Sequence, residues 1–139
     1  MKKEKACKIV FSDIDGTLLT SDGQITEGTK EMILNLEKKG IPFILTSARS
    51  PEGVRVIKRM LGNHAPIIAF CGGLILDDDG NEIYSKTIPL KRALELKAML
   101  DKDFPAVACN TFGGEKWIVD DRDDWREQRE EKIVGFPAE

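Results

Sequence analysis

Three short apolar runs, residues 7–12, 42–46 and 67–70, alternate with two amphipathic segments in the first half of the chain. The runs are rich in β-branched and aromatic residues, and each reads as a buried strand. After the first run, Thr26 is placed to cap a helix with Met32, Ile33 and Leu36 on one face, ending at Gly40. After the second, Ser50 caps and Pro51 opens a helix whose inner side holds Val54, Ile57, the Lys58 stem and Leu61. Continuously apolar strands separated by helices require parallel pairing through right-handed crossovers. The fold class is therefore α/β, built on a parallel sheet. Ligands of such sheets bind at the carboxyl ends of the strands. Those ends read Asp13-Ile14-Asp15-Gly16-Thr17, Thr46-Ser47-Ala48-Arg49 and Cys71-Gly72-Gly73. Polar residues and glycines gather where this architecture places a site.

The pattern changes between Asp77 and Leu90. Residues 74–76 and 82–85 flank Asp77-Asp78-Asp79-Gly80-Asn81 and predict a hairpin. The acidic run lacks the spacing and the closing Glu of a calcium loop, so it reads as a turn. Residues 89–102 predict a helix with Ala93, Leu94, Leu96, Ala98 and Leu100 inside. Residues 106–109 and 116–119 predict strands around Gly113-Gly114, and residues 123–133 predict a charged helix. Asp120, Asp121, Asp123 and Asp124 suit a strand end and the start of that helix. Trp117 and Trp125 read as packing residues.

Of the 139 residues, 41% are apolar and 32% charged, with a net charge of −3. That composition excludes a disordered chain, and the acidic balance gives no electrostatic reason to bind nucleic acid. No apolar run approaches the roughly 20 residues that span a bilayer, so no membrane partner is expected. Basic residues 1–6 precede only a short strand, which argues against a signal peptide. Cys7, Cys71 and Cys109 are odd in number and widely spaced, as expected of free thiols in a reducing cytoplasm. His64 stands in a turn-rich loop without a partner at metal-ligand spacing, which predicts a surface position.

Asp13 and Asp15, two residues apart at a strand end, repel each other unless a cation or a shared proton intervenes. A hard cation such as magnesium (Mg2+) suits oxygen ligands and needs few of them from protein. An aspartate can attack phosphorus, and a second carboxylate can protonate the leaving group and then activate water. Gly16 permits a sharp turn, and Thr17 can cap or hydrogen-bond it. Ser47, the backbone near Ala48, Arg49 and Gly72 are the candidate positions for a phosphoryl group. An Asp-x-Asp-Gly segment is also an ordinary turn. Its convergence with Ser47 and Arg49 favours a site. A phospho-receiver module is the weaker enzyme-free alternative, since no later receiver Asp or Lys accompanies the first strand.

Phe11-Ser12-Asp13-Ile14-Asp15-Gly16-Thr17-Leu18-Leu19 resembles the first motif of the haloacid dehalogenase superfamily, and Leu45-Thr46-Ser47-Ala48-Arg49 its second. The chain is most similar to the Cof-type sugar-phosphate phosphatases. Cys71-Gly72 stands where that family usually has Asn-Gly, and Ser47-Ala48-Arg49 where it has Thr-Gly-Arg. The resemblance implies a Rossmann-like core portion over residues 1–82 and the start of an α/β cap over residues 83–139. It implies a small-molecule phosphate ester as substrate and an aspartyl-phosphate intermediate. Asp13 would be nucleophile and magnesium ligand, and Asp15 the general acid/base with its carbonyl on the metal. Ser47 would bind phosphate, and Thr17 would support the loop. The family's later lysine and second acidic motif have no counterpart here. The chain is thus expected to be an N-terminal portion or a shortened form with weakened metal binding and turnover. The alternative is a non-catalytic relative that associates through the sheet edge beside its first strand.

Overall fold

The computed structural model describes residues 7–114 and 116–139; the basic segment 1–6 and Glu115 lie outside the described residues. The chain divides into two units, the first ending at Ser85 and the second running from Lys86 to Glu139.

The first unit contains β1 (Val10–Asp13), α1 (Glu27–Lys38), β2 (Phe43–Thr46), α2 (Pro51–Leu61), β3 (Ile67–Ala69), β4 (Leu74–Leu76) and β5 (Glu82–Ser85). They form one sheet in the order β1-β2-β3-β4-β5. β1, β2 and β3 are parallel, with Asp13 opposite Thr46 and Thr46 opposite Ile68, while β4 and β5 run antiparallel. Both helix starts follow their cap residues. Thr26 accepts the Thr29 N–H at 3.2 Å, and Ser50 accepts the Gly53 N–H at 3.4 Å with Pro51 in the first turn. The core joins Ile33 of α1 and Val54, Ile57 and Leu61 of α2 to Phe43, Leu45, Ile67, Ala69 and Leu76 of the sheet. Lys58 lays its stem alongside and places Nζ 2.5 Å from Asp78. Asp77 accepts the Asn81 N–H at 2.7 Å, so the acidic run is a hydrogen-bonded turn as expected.

Two expectations fail here. Residues 7–12 do not form a buried strand: pairing begins at Val10, and Ile9 and Phe11 are 45% and 57% exposed. Val10 joins the helix-covered core. Phe11, next in the strand, points to the opposite face. β1 also ends the sheet among the described residues, so no further strand covers it. Met32 likewise does not pack with Ile33 but is 63% exposed.

The second unit contains α3 (Leu90–Asp103), β6 (Thr111–Gly113), β7 (Lys116–Ile118) and α4 (Trp125–Val134). β6 and β7 form an antiparallel pair, with Gly113 opposite Lys116. The strand expected at residues 106–109 is absent, and pairing starts at Thr111 instead. The Gly113-Gly114 turn fixes this register, because the residues beside a tight turn pair first. The α3 face expected inside is uncovered within this unit: Leu94 is 61% and Leu96 46% exposed, and no α3 residue is buried. The buried cluster here is small, Trp117, Val134 and Ala138, and it leaves Trp125 exposed rather than packed. His64 is on the surface as expected, and all three cysteines are free. Among the described residues no helix is long and apolar enough to cross a membrane.

Asp124 caps α4, accepting the Arg126 N–H at 2.8 Å. The Arg126 side chain and the same N–H hold its carboxyl down to about 2. A depressed carboxyl stabilises the fold above the ordinary value of 3.8 and loses that contribution as pH falls through about 2. Burial pushes Glu127 the other way, so its contribution shrinks as pH rises above 4.5. Both tryptophans lie in this unit, so their fluorescence reports it selectively. Acid titration of Asp124→Asn, which keeps a good cap, is expected to show a flatter fluorescence transition below pH 4 than wild type.

Candidate active site

β1 and β2 end side by side, and their register sets the chemistry. Asp13 closes β1 opposite Thr46, and the chain beyond each strand turns over the carboxyl edge of the sheet. After Asp13, Gly16 takes a left-handed φ of 73°, and the Leu19 N–H closes a wide turn on the Ile14 carbonyl at 3.1 Å. A side chain at Gly16 would meet no neighbour, so the glycine is required by its backbone conformation alone. Ile14 and Leu18 are buried beneath this turn, which leaves Asp13 and Asp15 at the surface.

Beyond β2, Ser47 is buried, and its Oγ accepts the Arg49 N–H at 3.1 Å. Its own O–H therefore remains to donate. Ala48 is exposed at the tip of this loop. The Arg49 guanidinium reaches back over β1 and grips Asp15 in bidentate fashion, Nε to Oδ2 at 2.9 Å and Nη2 to Oδ1 at 2.7 Å. The side chain of Arg49 is only 13% exposed, so this ion pair is partly shielded from water.

The third strand end is tied to the second. Phe70 donates its N–H to the Arg49 carbonyl and Cys71 to the Ser47 carbonyl, each at 3.0 Å. Phe70 and Cys71 both adopt left-handed φ values, 50° and 53°, an uncommon conformation for such side chains. The three loops are thus laced together. Gly72 follows with φ of 92° beside this lacing.

Of the residues singled out from sequence, Asp13, Asp15, Ser47, Ala48, Arg49 and Gly72 all lie on the three connected strand ends. Thr17 stands apart: it lines a cleft of about 490 Å³ together with Thr29 and Met32 of α1. Arg49 spends two donors on Asp15 rather than facing solvent as a spare cation. Nothing in the sequence marks Phe70 and Cys71 as the residues that bind the third loop to the second. Only the glycines after them hint at an unusual backbone. Among the described residues the Asp13 carboxylate has no hydrogen bond or ion pair, while the Asp13 carbonyl accepts from Ser12 Oγ at 2.8 Å.

The arrangement combines an available carboxylate, a second one oriented by arginine, and a buried hydroxyl donor, all at the carboxyl edge of a parallel sheet. A model of the haloacid dehalogenase-like hydrolase family matches residues 10–136. The chain belongs to this family. A "Putative phosphatase" of Haemophilus influenzae is 36% identical over 124 residues, covering 83% of this chain and 47% of that protein. A phosphatase of Bacillus subtilis is 28% identical over 96 residues, covering 69% of this chain and 34% of that one. The crystal structure of a haloacid dehalogenase-like hydrolase from Bacteroides thetaiotaomicron superposes with a TM-score of 0.85 at 20% identity. That superposition covers 96% of this chain and 51% of the other and shows a shared fold. The chain thus spans about half, or less, of the length of these relatives.

Proposed function

We propose that the chain carries the nucleophile half of a phosphate-monoester hydrolase site, with residues up to about 82 as core portion and those beyond as the start of a cap. The observation that carries this reading is the pairing of an available Asp13 with an Arg49-oriented Asp15 above Ser47. Asp13 Oδ attacks phosphorus, and the bond from phosphorus to the ester oxygen breaks. Arg49 occupies both Asp15 oxygens here, so one of them must leave the guanidinium before Asp15 can carry a proton; Asp15 then gives that proton to the departing alkoxide and removes one from water. That water attacks phosphorus, the bond to Asp13 breaks, and inorganic phosphate leaves. Ser47 O–H and the Ala48 backbone would hold phosphoryl oxygens, with Gly72 alongside and Thr17 supporting the first loop.

The donor set bears on the metal. Both Asp15 oxygens are taken by Arg49, and no cluster of three or more His, Cys, Asp or Glu able to hold a metal exists among the described residues. A hard cation that keeps several waters needs few protein ligands, so magnesium would be held by the Asp13 carboxylate and the Asp15 main-chain oxygen. Magnesium bound there would neutralise charge on the phosphoryl oxygens. Sugar phosphates are the proposed substrate class, on the strength of the motif resemblance, and free thiols fit a reducing cytoplasm. The test is phosphate release from a panel of sugar phosphates with magnesium or with EDTA. Release with magnesium alone supports the reading, and equal background in both overturns it.

A second reading, association through β1, is favoured by exposed Phe11 on a strand that ends the sheet among the described residues, with exposed Ile9 just before it. Phe11→Lys is expected to shift a self-associated chain toward monomer in sedimentation velocity. A wild-type chain that is monomeric throughout would contradict this reading.

A further inference from the structure

The two partners of the Arg49–Asp15 ion pair are held unequally. Arg49 is fixed along its backbone: its N–H donates to Ser47 Oγ at 3.1 Å, and its carbonyl accepts the Phe70 N–H at 3.0 Å. Its side chain is mostly buried. The Asp15 side chain is 57% exposed, and both of its hydrogen bonds among the described residues come from Arg49. Asp15 can therefore turn into water with nothing else to break, while Arg49 stays where it is.

An ion pair with one partner so open to water contributes little to a fold. This one is nonetheless bidentate, and it ties up the carboxylate that the reaction needs free. A guanidinium fork receives two oxygens of a carboxylate or of a phosphoryl group in the same manner. Ser47, whose Oγ accepts from the same arginine's backbone, keeps an O–H to donate beside it. The Asp15 carboxylate thus occupies donors that suit an incoming phosphoryl group.

We propose that Arg49 is a clamp opened by ligand exchange: a phosphoryl group entering beside Ser47 takes the Nε and Nη2 donors that now hold Asp15, and Asp15 swings free. Only hydrogen bonds change hands. This exchange rests on the phosphatase reading, because it names what releases Asp15 at that site. Without a phosphoryl group Asp15 stays locked, and the group to be hydrolysed is the one that unlocks it. Oxyanions that present two oxygens to the fork drive the exchange, and chloride, a single centre, does not.

Titration of the full chain with inorganic phosphate, in EDTA and at constant ionic strength, tests it. Affinity is read from the phosphorus resonance of the ligand. The clamp is read from the Arg49 Nε–H resonance, assigned by its absence from Arg49→Gln. That resonance is expected to move saturably with phosphate and to stay in place with chloride. Asp15→Asn is expected to bind phosphate at least fivefold more tightly than wild type, because the state that competes with the ligand is weakened. In the Arg49→Gln background the gain from Asp15→Asn should fall to half or less. Folding of Arg49→Gln is checked by circular dichroism; if it fails, Arg49→Lys, a charge without a fork, replaces it with the same expectation. Unchanged or weaker phosphate binding by Asp15→Asn would show that Arg49 holds both groups at once, and would overturn the exchange. It is equally overturned by an Arg49 resonance that stays still while phosphate binds, by a full gain without Arg49, or by no binding to Asp15→Asn. Hydrolysis with magnesium but no exchange would remove the clamp and keep the phosphatase reading. Exchange without hydrolysis would do the reverse.

Discussion

Asp13→Asn is expected to lower magnesium-dependent phosphate release on the order of 10⁴-fold or more, the scale of loss when an enzyme's nucleophile is removed. The amide matches the carboxylate in size but is a poor nucleophile and a weaker ligand for a hard cation. Asp13 is exposed and its carboxylate makes no hydrogen bond or ion pair among the described residues, so the fold should be untouched. Urea unfolding followed by circular dichroism should superpose on wild type within about 0.5 kcal/mol, as for a surface substitution. Loss of activity with unchanged unfolding separates chemistry from stability. Activity retained within a few-fold would remove Asp13 from the reaction.

Asp15→Asn should act differently, and the difference identifies its role. A positioned acid/base contributes roughly 10²–10⁴-fold, so hydrolysis of a sugar phosphate is expected to fall by that range. The effect on the first step should shrink when the leaving group needs no proton, as with acetyl phosphate. The second step still requires a base, so phosphorylated enzyme should accumulate in the variant. The amide can accept from Arg49 through one oxygen only, so the bidentate grip seen at 2.7 and 2.9 Å is also lost. Equal rate losses for sugar phosphate and acetyl phosphate would show a positioning or charge effect instead of acid catalysis.

The first three strands and two helices were legible because each carries its own local signal. Ser50 and Pro51 start α2, Thr26 starts α1, and Val54, Ile57 and Leu61 recur at helical spacing on the face that the structure buries. Parallel pairing follows from that order, and it brings Asp13 and Ser47 to neighbouring strand ends. Hydrophobic periodicity reports which face of an element is apolar, not whether anything covers it. Phe11 and Leu94 have buried-type side chains at suitable spacing and are 57% and 61% exposed. The same limit applies to residues 106–109, which are apolar enough for a strand, yet the register is set by the glycine turn downstream. Contacts between distant positions were the least legible. Nothing near Arg49 or near Asp15 states that the two side chains, 34 residues apart, form a bidentate pair.

The most direct test of the central claim is a covalent trap. Asp15→Asn is mixed with acetyl phosphate and magnesium, quenched in acid, digested and analysed by mass spectrometry. The account predicts the added mass of one HPO3 on the peptide containing Asp13, located at Asp13 itself and absent from Asp13→Asn/Asp15→Asn. Phosphate released without any label at Asp13, or label retained in the double variant, would contradict it.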